Sequence, residues 1–303
     1  FSLVIATLSA IGFGLAPAPP LARGEWLAVG EVGGAASGAR ILSAAPLDQT
    51  KVEALFADRI RMATDVSFDS ATGTVEASRA PRLGPTRLSG GRDESADPAE
   101  IESALLEGVR EHGLGLLPWS EGARALRLRS AFARRFDRAI ADLSDEALLA
   151  ALDQWLPPLL AGKRRLGDVD AGALAGALDA MLGWQGREAV DRLAPGQFET
   201  PAGSRHAIDY EAAAGPTVMV RVQALFGLAR HPPAAGGRVP LVLALTSPAG
   251  RPIQTTCDLP GFWRGGWRDV VREMRGRYPK HPWPDDALAA VATLRSKRAS
   301  KRD

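Results

Sequence analysis

The sequence predicts an α+β, multi-domain chain: a partial OB-like β-barrel, then a helical domain, then a C-terminal mixed α/β domain. Three observations carry this. The 303 residues give room for two or three domains with cores of their own. Apolar residues alternate with a period of two up to about residue 88, then recur at helical spacing from 99 to 195. After Pro195, short strand-like runs punctuated by Gly and Pro return. Hydrophobic residues make up 46% and charged residues 24%, an ordinary globular composition that excludes a disordered or fibrous chain.

Residues 1–22 open with FSLVIATLSAIGFGLAPAPP, an apolar lead whose first residue is Phe1. No basic residue precedes the run, and it is short for a bilayer span, so it reads as an internal strand or diverged sequence rather than a targeting signal. The missing Met points to a chain whose beginning has been lost. Residues 23–88 form the β unit. WLAVGEV and ARILSAA are short β-prone runs around the turn GGAASGA, and DQTKVEALFA reads as a short capped helix. RIRMATDVSFD alternates, with Ile60, Met62, Thr64, Val66 and Phe68 on one face, and SATG turns it into TVEASR. An OB-type barrel is one home for such a unit.

SGGRDESADP (89–98) is a linker by composition. The helical domain, 99–195, starts where Asp97, Pro98 and Glu100 supply a cap, a first-turn proline and a capping-box carboxylate. Between Ala123 and Asp142, Phe132, Phe136 and Ile140 make an apolar stripe. Arg124, Arg127, Arg134, Arg135 and Arg138 gather opposite it. Ser144 caps a helix ended by Pro157-Pro158, and another spans roughly Val169 to Leu182. Residues 196–303 form the third unit, with strand-like runs HAIDYE, TVMVRVQALFG, VPLVLALTSP and RPIQTTCDL and a helix from about Pro260 to Arg275. Trp263, Trp267, Val270, Val271 and Met274 stripe that helix, while Arg264, Arg268, Arg272 and Arg275 line a neighbouring face. RGRYPKHPWPDD follows, a strap that three prolines keep from being helical.

Net charge is only +2, so overall balance does not imply a nucleic-acid partner. The charge is uneven, however: from Asp258 to Asp303 eleven Lys and Arg face six Asp and Glu. The row Arg264, Arg268, Arg272 and Arg275, with Lys280 on the strap, is the candidate phosphate contact. The bland reading is a solvated face, or arginines paired with carboxylates of a neighbouring domain. Tyr278 and Trp283 could stack on bases, but prolines beside a Trp favour a strap pinned to its own core.

Chemistry-bearing motifs are absent from the sequence. Gly162-Lys163 is the nearest approach to a phosphate-binding loop, but Pro157 stands where its first glycine should be and Arg164 where its hydroxyl should be. Cys257 stands alone, excluding an internal disulfide and a Cys-based zinc site. His112, His206, His231 and His281 have no metal-ligand spacing. Ser204, His206 and Asp209 are too close in sequence for a triad, which draws its members from distant segments. No catalytic, cofactor-binding or metal-binding residue is therefore assigned.

VVREMRGRYPKHPWPDD, preceded by RPIQTTCDLPGFWRGGW, resembles the C-terminal end of the HrpB-type bacterial ATP-dependent helicases of the DEAH/RHA class. LARGEWLAVGEV, ARILSAAPLD, LLEGVREHGLGLLPWS, LRLRSAF, SDEALLAALDQWLPPLLAG, HAIDYE, VRVQALFGL and VPLVLALTSPAGRPIQTTCDL match in the same order, over about residues 21 to 286. The resemblance implies a parent enzyme that couples ATP hydrolysis, with Mg2+, to movement along nucleic acid, RNA being the expected substrate. Two RecA-like motor domains, a winged helix and a helical ratchet domain would precede this chain. The β unit would be the later part of the family's OB-fold, and the rest its accessory region. Neither the phosphate-binding loop nor the DEAH box is in this sequence; Asp145-Glu146-Ala147 lacks the histidine. The chain alone is thus expected to be inactive as an ATPase, cytoplasmic, without a membrane partner, and to contact RNA or single-stranded nucleic acid and its own motor domains. The alternative is a structural, protein-interaction module that binds no nucleic acid. An exported hydrolase built on Ser204 and His206 is a third reading.

Overall fold

The computed structural model describes residues 4–7, 26–33, 40–84, 86–88, 91–92 and 96–296. Most of the apolar lead, the GGAASGA turn, much of the SGGRDESADP linker and the last basic residues lie outside the described residues. The architecture is mixed, with several sheets and helices, and no sheet among the described residues closes into a barrel. The chain divides into two compact units, one of residues 1–108 with 160–166, the other of 109–159 with 167–303.

In the first unit, β1 (Val4–Thr7), β2 (Trp26–Gly33) and β3 (Arg40–Leu47) form an antiparallel sheet. α1 (Gln49–Leu55) starts where the Asp48 carboxylate accepts the Lys51 amide at 2.9 Å, and it buries Val52. β4 (Ile60–Asp69) and β5 (Thr74–Leu83) pair antiparallel without a break in register. Asp69 shapes their turn, accepting from the Ala71 amide at 2.9 Å and the Thr72 hydroxyl at 2.7 Å, and Gly73 supplies a positive φ of 64°. β6 (Thr86–Arg87) and β7 (Gly91–Arg92) add to β5. The burial lies mainly on β5, through Val75, Ala77 and Ala80, whereas Met62 of the alternating β4 face is 54% exposed. α2 (Pro98–His112) buries Ile101 and Leu105. Its Gly108 admits the Phe68 ring, because a Cβ there would stand 2.6 Å from a ring carbon.

In the second unit, α3 (Glu121–Arg134) is capped by Ser120. It ends at Arg134, short of the expected 142, because Asp137 turns the chain by accepting the Ala139 amide. α4 (Asp145–Ala150), α5 (Leu152–Trp155) and α6 (Pro157–Leu160) are short turns of helix. α7 (Ala171–Leu193), capped by Asp170, runs past the expected end at Leu182 because Gly183, at φ 63° and ψ 174°, kinks it without stopping it. β8 (Gln197–Glu199) and β9 (Arg205–Ala207) form a small hairpin. β10 (Thr217–Arg221) leads to the short pair β11 (Pro233–Ala234) and β12 (Val239–Pro240). β13 (Val242–Thr246) and β14 (Pro252–Thr256) complete a three-stranded sheet in which β10 and β13 run parallel. α8 (Leu259–Arg264) and α9 (Trp267–Arg277) close the fold. The single helix expected from Pro260 to Arg275 is thus two, broken at Gly265 and Gly266, whose missing side chains leave the backbone free to leave helical geometry.

Candidate nucleic-acid interface

The interface is built on an aromatic base. Asp258 caps α8 by accepting the Gly261 amide at 2.9 Å, and a Cβ on Gly261 would collide with that carboxylate at 2.1 Å. α8 and α9 then bury Leu259, Phe262, Trp263, Trp267, Val270, Val271 and Met274. Trp267 is the hub: its ring lies 5.3 Å from Trp263 at 90°, 5.5 Å from Phe226 and 6.0 Å from Trp283. Each such pair adds about 0.5–1.5 kcal/mol beyond area burial. Every indole N–H in this cluster is satisfied by a backbone carbonyl: Trp263 donates to Leu228, Trp267 to Pro284 and Trp283 to Tyr278, at 3.0–3.1 Å.

The strap is held from several points. The Tyr278 amide donates to Met274, ending α9, and the His281 amide donates to the Tyr278 carbonyl. The Arg275 guanidinium donates to the Trp283 carbonyl at 2.7 Å and to the Asp285 carboxylate at 2.8 Å. Trp283 is 3% exposed, with its ring against Trp267. Tyr278 is half-buried, and Ser247 Oγ donates to its hydroxyl at 3.3 Å.

The candidate cations divide into two kinds. Arg264, Arg268 and Lys280 are exposed and have neither a hydrogen bond nor an ion pair among the described residues. Arg272 faces Asp269 at 3.1 Å, Arg275 grips the strap, and Arg277 faces Glu273 at 3.2 Å. At 100° per residue, Arg268, Arg272 and Arg275 fall within about 60° of one another on α9. Arg264 belongs to α8 and lies across the glycine elbow. The expected four-residue row is therefore three on one helix and one on another.

Sequence reasoning did not include Arg221, at the end of β10. Burial first, and then the Arg221 charge, hold the His281 imidazole below its ordinary value. About sixty residues separate the two in sequence, and they meet only in the fold. Ser204 and His206 do meet, with Ser204 Oγ 2.9 Å from His206 Nε2, on the β8–β9 hairpin. The Asp209 carboxylate instead accepts the Glu211 amide.

Among the described residues no helix is long and apolar enough to cross a membrane. No group of three or more His, Cys, Asp or Glu among them could hold a metal ion.

Comparison with known proteins places the chain by residues rather than by motif alone. Residues 155–287 match the family model described as ATP-dependent helicase C-terminal, HrpB_C. The chain is 38% identical over 286 residues, 92% of its length, to the ATP-dependent RNA helicase HrpB of Escherichia coli (strain K12). It spans about a third of that relative, 35% of its length. Two solved structures are similar. The E. coli DExH-box NTPase HrpB has a TM-score of 0.64 and 38% identity, covering 91% of this chain and 35% of that one. The E. coli DEAH/RHA helicase HrpB has a TM-score of 0.55 and 34% identity, covering 89% and 34%. The resemblance carried by the strap and the ordered segments before it holds.

Proposed function

We propose that this chain, whose residues 155–287 match the HrpB-type helicase C-terminal model, is the accessory part of an ATP-dependent RNA helicase, giving nucleic-acid contact and support to motor domains of a longer protein. One observation carries the reading: Arg264 and Arg268 stand exposed, without an ion pair among the described residues, on a buried aromatic base. Such cations displace counterions from a phosphate backbone, and they need no rearrangement to do so.

In this reading β2 to β5, with α1 between them, are the later part of the family's OB-fold. ATP and Mg2+ serve the motor domains, and the protein works in the cytoplasm. The residues here do not fit a nucleotide's phosphates: Pro157 opens α6, and the Lys163 amide, which a cradle would aim at phosphate, donates to Leu160 at 2.8 Å. No hydrolytic step is derived from this chain.

Binding of single-stranded RNA to the 303-residue chain tests the proposal, followed through a salt titration. We expect affinity that falls as salt rises, and at least about a tenfold further loss in Arg264→Glu/Arg268→Glu. Absent binding at low salt, or binding indifferent to the charge reversals, overturns the contact. RNA-stimulated ATP hydrolysis by this chain alone overturns its separation from the motor. A second reading, a structural module that binds protein and no RNA, is favoured by Arg272, Arg275 and Arg277, each already facing a carboxylate.

A further inference from the structure

A second set of cations converges at one edge of the C-terminal sheet. β10 and β13 run parallel with Arg221 in register with Thr246, so their carboxyl ends lie side by side. Ser247 follows at once and is 1% exposed. Its Oγ accepts the Arg251 amide at 3.1 Å and donates to the Tyr278 hydroxyl, so one buried serine joins the turn after β13 to the strap. Two residues beyond Tyr278 stand Lys280 and then His281, whose imidazole feels the Arg221 charge. Three segments, distant in sequence, thereby bring Arg221, Arg251 and the strap that carries Lys280 to that edge of the sheet, the carboxyl end of β10 and β13.

All three cations are exposed, and none has an ion pair among the described residues. Elsewhere in this unit most arginines answer a carboxylate or a carbonyl, as Arg129, Arg134, Arg205 and Arg275 do. Unanswered like charges at one edge repel, and a polyanion relieves that repulsion. Apolar surface lies among them: Met219, two residues before Arg221 on the same strand face, is 65% exposed, and Tyr278 is half-buried. Cations flanking flat or flexible apolar side chains suit a strand that offers phosphates and base faces together.

We propose that this edge is a second nucleic-acid contact, in which Arg221, Arg251 and Lys280 hold phosphates of a single strand and Met219 and Tyr278 face its bases. The inference rests on the nucleic-acid reading above and adds a site that reading does not require. Arg221 and Arg251 supply the planar forks that meet phosphate oxygens in pairs.

The test uses the whole chain and a fluorescent oligouridine of about twelve nucleotides, within the site sizes of single-strand binders, read by anisotropy across a salt series. Arg221→Ser/Arg251→Ser/Lys280→Ser should weaken binding at least about tenfold at low salt. It should also flatten the slope of log K against log salt by about 2, since each single-strand contact contributes about 0.7. Arg221→Lys/Arg251→Lys should keep the slope, and a thermal melt identical to the parent shows that the serine variant is folded. If the parent chain binds RNA and loses affinity in Arg264→Glu/Arg268→Glu but not in the serine variant, this site is overturned and the first reading stands. If the parent binds no RNA, both fall. Polyglutamate of matching charge that competes as well as RNA overturns the nucleic-acid assignment of the edge.

Discussion

Two helices of this molecule are rich in arginine, and Arg127, Arg129 and Arg134 of α3 have a different fate from Arg268 and Arg272 of α9. On α3, Arg127 donates to the Leu143 carbonyl and pairs with Asp145. Arg129 donates to the Ala194 carbonyl at 2.6 Å and pairs with Asp191, and Arg134 reaches the Ile140 carbonyl and Asp142. These side chains are 12–20% exposed and tie α3 to the segments around it. On α9, Arg268 has no partner among the described residues, and the Arg272 side chain is 81% exposed with a neighbour one turn away. An ion pair that open is worth at most a few tenths of a kcal/mol. A helix face full of arginine is therefore not a binding signal in itself. What distinguishes the two faces is whether backbone carbonyls and carboxylates of other segments arrive to desolvate them.

That contrast can be broken where the base under α9 is removed. Trp283→Ala should cost about 3–5 kcal/mol in urea unfolding, since it opens a cavity beside Trp267 and removes one of the two donors to the Tyr278 carbonyl, the His281 amide being the other. A loss under about 1 kcal/mol would mean that the strap is not pinned, and that Trp283 is available for other work. Next comes α3. Arg129→Ala leaves the Ala194 carbonyl without this donor and Asp191 with Arg187 alone, and should cost about 1–3 kcal/mol. An unchanged stability would put α3 in the same class as α9.

The same pairing has a pH signature. Burial pushes the Asp191 carboxyl up, but Arg129 and Arg187 outweigh it and hold the group below its usual value of 3.8. A carboxylate depressed in the fold contributes stability above its unfolded value, and that contribution is lost as pH falls below about 4. The parent chain should therefore lose more stability than Arg129→Ala between pH 4 and pH 2, measured by thermal melts. His281 behaves analogously in milder acid. Its folded value lies below the unfolded 6.5, so its neutral form stabilises the fold above that pH, and the contribution fades as pH falls through 6.5. His281→Asn should flatten that part of the profile; an unaltered profile would mean that neither burial nor Arg221 depresses the imidazole.

The smallest change in stability belongs to Arg264→Glu/Arg268→Glu, within about 0.5 kcal/mol, because neither residue has a partner to lose among the described residues. A larger cost would reveal internal contacts and bring α9 into line with α3.

Much of this region was legible in the sequence. Pro260 marked the start of a helix, the Trp263 to Met274 stripe announced a buried face, and the prolines of the strap excluded helix. The elbow was not legible in the same way. Two glycines at 265 and 266 lower helix propensity without forbidding it, and packing of Phe262 and Trp267 on the shared cluster decides the break. The kink at Gly183 is the converse, a glycine that bends α7 without ending it. The arginines of α3 were hardest to read, because their partners Asp191, Ala194 and Leu143 come from elements whose approach no local pattern encodes. Arg221 escaped notice for the same reason.

The double grip of Arg275 on the Trp283 carbonyl and Asp285 closes a small ring of chain around the end of α9. Unzipping from the C-terminal side must undo that clasp before the helix can fray. Amides of the last turn of α9 should therefore exchange with solvent only as fast as the clasp itself opens, as one cooperative event rather than residue by residue.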